Sequence, residues 1–142
     1  MEFDFDLPEA VDETRECEVV KNGKCYGIFT VKHQFVGSPD WQIAFKRHNA
    51  KLSKRERERI DDPQTADDVL LRRKMLIGFF VSNYVVASRD VPRKDGEWKH
   101  STANLIEYLT NPHAQFIYQE LDEFSAELAN FRTADLKEAE KK

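Results

Sequence analysis

The stretch that most constrains this chain is residues 65–87, TADDVLLRRKMLIGFFVSNYVVA, its longest apolar-rich run. Thr65 followed three residues later by Asp68 is a capping-box-like start, in which side chains satisfy the free N–H groups of a first helical turn. Val69, Leu70, Leu71, Met75, Leu76, Ile77, Phe79, Phe80, Val81, Tyr84, Val85 and Val86 then wrap nearly all round a helix. A helix apolar on almost every side belongs at the centre of a core, with neighbours packed around it. A membrane span needs roughly 18 or more consecutive apolar residues. Arg72, Arg73 and Lys74 interrupt the first half, and the unbroken run from Met75 to Val81 is too short. The pattern therefore predicts a buried helix of a soluble domain.

A chain of 142 residues fits one domain and can bury a core without staples. Its charge of −4 at pH 7 gives no bulk field for polyanions. Residues 1–12 are acidic, with neither a basic n-region nor an apolar h-region, so no signal peptide is expected and the location defaults to the cytoplasm.

In chain order, residues 1–16 read as an acidic N-terminal arm and 17–33 as a β-hairpin turning at Asn22-Gly23, a strong two-residue hairpin signal. Such a turn pairs Val20 with Cys25 and sets Cys17 opposite Ile28, on the other face. A three-residue turn leaves the two cysteines roughly 13 Å apart along the ladder. A disulfide needs Cα atoms within about 7 Å, so both are expected as free thiols. An isolated hairpin is marginal, so it must lie on helices or pair with a further strand. Ser38-Pro39 starts a helix over about 39–59, with Trp41, Phe45, His48 and Leu52 on one stripe. The charged run SKRERER either ends that helix or continues it as a solvated rod. The central helix spans 65–87, and residues 89–99 form a loop. Ser101 caps a helix over 101–110, with Leu105, Ile106 and Leu109 inward. Asn111-Pro112 opens a last helix over 112–131, seamed by Ala114, Ile117, Leu121, Phe124, Leu128 and Phe131. A charged tail occupies 132–142. The expected fold is mainly α: a four-helix domain, 17–131, with an N-terminal β-hairpin.

Little here points to catalysis. The histidines 33, 48, 100 and 113 do not share ligand spacing, the five glycines make no phosphate loop, and no nucleophile motif is present. Asp61-Asp62 and Asp67-Asp68 flank a helix start, where carboxylates favour the helix dipole. No enzyme activity, cofactor or metal is expected. Residues 46–59 carry seven basic residues, Lys46, Arg47, Lys51, Lys54, Arg55, Arg57 and Arg59, against Glu56 and Glu58. Such a stripe can hold phosphates. Residues 1–18, with eight acids and one Arg, are its opposite, and an acidic arm near a basic helix accounts for both without nucleic acid. The free hairpin edge, Phe116 and Tyr118 beside the last seam, and the charged tail suit protein partners instead.

The run WKHSTANLIEYL at 98–109, then Asn111-Pro112, Phe116-Ile117 and AELANF at 126–131, resembles the tail assembly chaperones of long-tailed bacteriophages. The likeness covers roughly residues 38–142 and rests on a helix cap, a proline and apolar spacing. It implies a non-enzymatic protein that binds the tape-measure protein, keeps that long helical chain soluble and recruits tail-tube subunits around it. It further implies contacts with copies of itself or with a frameshift-extended long form, action in the host cell cytoplasm, and absence from the mature virion. On this reading Phe116, Tyr118, Phe124 and Phe131 form part of the partner-binding surface. Two rivals stand beside it: a small nucleic-acid-associated or regulatory protein using Lys46, Arg47, Lys51, Lys54, Arg55 and Arg59, and a structural minor tail protein retained in the virion.

Overall fold

The computed structural model describes residues 13–131. Most of the acidic arm and all of the charged tail lie outside that range. Three strands and five α-helices follow one another as β1 Thr14–Lys21, β2 Lys24–Lys32, α1 Pro39–Asn49, α2 Lys54–Asp61, α3 Ala66–Tyr84, β3 Val85–Arg89, α4 Thr102–Thr110 and α5 Gln115–Ala126. Short 3-10 turns stand at Pro112–Ala114 and Leu128–Phe131. The fold is thus a small α+β domain with one helix more than the expected four. Among the described residues no helix is long and apolar enough to cross a membrane.

The hairpin turns at Asn22-Gly23, with φ of 53° and 77°. Both central residues are left-handed, as the tightest hairpin turns require. Val20 faces Cys25 as expected, but a bulge beyond that pair shifts the register, so Cys17 meets Phe29 rather than Ile28. The shift turns Cys17, Val19, Phe29 and Val31 all inward, where each is buried. Both cysteines are free.

The expected central helix over 65–87 ends early. Val85 leaves the helical region at φ −106°, ψ 118°, and residues 85–89 become β3. This strand pairs antiparallel with β2, making a three-stranded sheet in the order β1-β2-β3. Val85 and Val86 are β-branched and suit a pleated sheet. Continuing the helix would leave one edge of β2 unpaired. Arg89 of β3 reaches over β2 to Glu16 of β1, with Nη2 at 3.0 and 3.1 Å from the two carboxylate oxygens.

The expected helix over 39–59 is two helices. Ser53 closes a full capping box with Glu56 and starts α2 afresh. α1 buries none of its residues completely; it rests on α3 through Trp41 and Phe45, both edge-on to Phe79. His48 lies on the same face, edge-on to Phe79 and against Gly78.

The core gathers the inner sheet face with Ile77, Phe79, Phe80, Val81 and Tyr84 of α3, Leu105 and Leu109 of α4, Ile117 and Leu121 of α5, and Phe131. Each fully buried side chain of this kind contributes about 1.5–3 kcal/mol, more than any exposed ion pair supplies. α5 is fastened to the sheet by polar bonds at its C-terminal end. Ser125 Oγ donates to the Lys32 carbonyl at 2.6 Å, and Gln34 Nε2 donates to Asp122 Oδ1 at 2.8 Å.

Candidate functional site

Two concavities of the described surface flank α5. An α-helix turns about 100° per residue, so Phe116 and Tyr118 point to nearly opposite flanks. The structure does not bring them together.

Tyr118 lies in a groove between α5 and the first half of α3, about 340 Å³ in volume. Val69, Leu76, Ile77 and Tyr118 supply its apolar floor, with Arg72, Arg73 and Asp122 at its edges. The Tyr118 ring packs edge-on to Phe80 with centroids 5.8 Å apart, and burial pushes its phenol up to about 12. The all-round apolar pattern predicts burial along the whole of α3, and here the structure differs. Met75, Ile77, Phe79, Phe80, Val81 and Tyr84 in its second half are buried, but Val69 is 46% exposed and Leu70 48% exposed. Of these two, Val69 lines the groove.

Phe116 lies in the other concavity, about 550 Å³, between the hairpin, the loop after β3 and α4. Its ring meets Tyr26 edge-on at 5.1 Å, and Lys21 Nζ sits 4.4 Å above it. Trp98 and Tyr108 line the same concavity as a second ring pair, with centroids 5.8 Å apart. Both have their polar atoms engaged elsewhere: Trp98 Nε1–H donates to Ser88 Oγ at 2.9 Å, and Tyr108 O–H donates to the Tyr26 carbonyl at 2.9 Å. Tyr26, Trp98 and Tyr108 are not among the partner-binding residues expected from the sequence. The loop at 89–99 reads there as a plain connection, and nothing in its spacing reveals that Trp98 folds back against α4.

The remaining residues named for partner binding fare differently. Phe124 is half-buried against Phe131, and Phe131 is 0% exposed and offers no surface. The basic stretch is divided by the break between α1 and α2. Lys46, Arg47, Lys51, Lys54 and Arg55 are exposed, whereas Arg59 is bound to Asp68. Lys46 and Arg57 border a third recess of about 370 Å³ beside Trp41 and Phe45, whose rings stack 5.1 Å apart and 6° from parallel.

Among the described residues no group of three or more His, Cys, Asp or Glu is placed to hold a metal ion. His33 spends both ring nitrogens structurally, Nε2 with the Ala126 carbonyl at 3.2 Å and Nδ1 with the Phe35 N–H at 3.1 Å. Burial lowers its pKa. His100 Nδ1 is 2.6 Å from Ser88 Oγ.

Compared with known protein families, curated proteins and solved structures, the chain matches none.

Proposed function

We propose that this protein is a non-catalytic assembly chaperone that holds a long amphipathic helix, as the resemblance to phage tail assembly chaperones implies. The groove between α3 and α5 carries this reading: it leaves Val69 46% exposed beside Leu76, Ile77 and Tyr118. Two helices with an open apolar seam present the surface that a third helix fills. Arg72 and Arg73 at the rim favour a helix with acidic residues along its flank. The occupant on this reading is the tape-measure protein. Many copies along one template allow each site to be weak. Recruitment of tail-tube subunits, action in the host cytoplasm and release before the virion is complete belong to the same proposal. Co-expression with the cognate tape-measure protein tests it. The proposal expects the tape measure in the soluble fraction, co-eluting with several copies of this chain. An insoluble tape measure with nothing co-eluting would count against it.

One observation favours a second reading, nucleic-acid contact by α1 and α2. The stacked Trp41–Phe45 pair beside Lys46 and Arg57 combines a flat aromatic surface with cations, as single-strand binders do. Retention on single-stranded DNA that falls steeply with salt would support it.

A further inference from the structure

The 550 Å³ concavity beside Phe116 is separate from the helix groove, and what it could hold follows from its walls. Tyr26 and Phe116 form one aromatic pair, Trp98 and Tyr108 the other. The Trp98 indole N–H and the Tyr108 hydroxyl are already satisfied within the protein, so both rings are fixed in place before anything binds. A planar apolar group can enter between such walls without stranding a buried polar atom.

The charges are one-sided. Lys24, Arg93 and Lys94 line the concavity against a single carboxylate, Glu107. The cations come from two separate elements, Lys24 from the start of β2 and Arg93 and Lys94 from the loop after β3. That arrangement suits negative charges spaced along a chain better than one compact anion.

We propose that this concavity binds an extended acidic peptide segment that inserts an aromatic side chain between the two ring pairs. The carboxylates on either side of the aromatic residue meet Lys24 on one side and Arg93 and Lys94 on the other. In an extended peptide alternate residues point to opposite faces, so rings directed inward leave the acids on the outer side, where the long side chains of Lys24, Arg93 and Lys94 reach up to them. The site is independent of the helix-binding reading, and its failure leaves that reading intact.

The probe is the acetylated peptide EFDFD, titrated into the full-length chain carrying Phe3→Ser and Phe5→Ser. Residues 2–6 of the chain have this same sequence, and the two substitutions leave the added peptide as the sole source of it. The readout is the indole N–H signal of Trp98, with that of Trp41 as internal control. The expected result is a saturable shift of Trp98 and not of Trp41. Arg93→Glu with Lys94→Glu should weaken the affinity about tenfold or more, with binding falling as salt rises. A peptide with serine in place of both phenylalanines should lose it. No shift at Trp98, equal binding of the serine peptide, or tighter binding of a nucleotide such as ATP would each overturn the proposal.

Discussion

Arg59 of α2 holds Asp68 of α3 with Nε 2.6 Å from Oδ1, and so joins the two helices at their shared corner. The same carboxylate accepts from the N–H groups of Gln64 and Thr65 through Oδ2, at 3.0 and 3.3 Å. One side chain thus closes the capping box of the central helix and takes up a cation of the basic stretch.

This arrangement makes stability depend on acid. The hydrogen bond from Arg59, then that from Gln64 N–H, hold the Asp68 carboxyl down from 3.8 to about 2. A depressed carboxyl pKa stabilises the fold above the unfolded value, and that stabilisation is lost as pH falls from about 4 towards 2. Asp68→Asn should lower the melting temperature at pH 7 and flatten its fall over that window. Thermal melts of both proteins between pH 6 and 2 check it; parallel curves would remove Asp68 as the acid-sensitive group.

Gly27 stands beside the register shift between β1 and β2. It stands at φ +138°, and a Cβ there would lie 2.6 Å from the Phe29 ring. Gly27→Ala combines backbone strain with overpacking in the core and should cost roughly 2–4 kcal/mol. Gly23, at φ +77° with open space around it, should cost only about 1–2 kcal/mol as alanine. Urea denaturation of the two variants separates them, and equal losses would show that the ring contact is immaterial.

The two cysteines should differ in reactivity. Burial, then the charge of Glu120, pushes the Cys17 thiol up to about 11, whereas Cys25 is partly exposed. At pH 8 about one Cys17 in a thousand is thiolate, and the reactive species is the thiolate. Titration with an aromatic disulfide reagent should show one fast thiol in the native protein and two after denaturation. Cys25→Ser should abolish the fast phase.

The caps were the most legible part of the fold. Ser38, Thr65, Ser101 and Asn111 each accept the backbone N–H that their place in the sequence assigns them, because a cap is a local bond. The Asn22-Gly23 turn is local in the same way. β3 was not legible, since Val85 and Val86 extend the apolar run of α3 and become a strand only because β2 offers an edge. The bulge near Gly27 was hidden as well, because only the packing of Phe29 reveals it. Of the site residues, Tyr118 faces a groove, but its partner Val69 was missed: a pattern apolar on all sides cannot say which side stays uncovered.

The most direct test of the helix-binding account is the affinity of a tape-measure helix for two single variants. Val69→Gln changes a half-exposed residue in the α3–α5 groove and should leave stability within about 0.5 kcal/mol. Phe116→Ala changes the opposite flank of α5. The account predicts that Val69→Gln weakens binding at least about tenfold while Phe116→Ala leaves it unchanged. Undiminished binding by Val69→Gln, or a loss confined to Phe116→Ala, would contradict it.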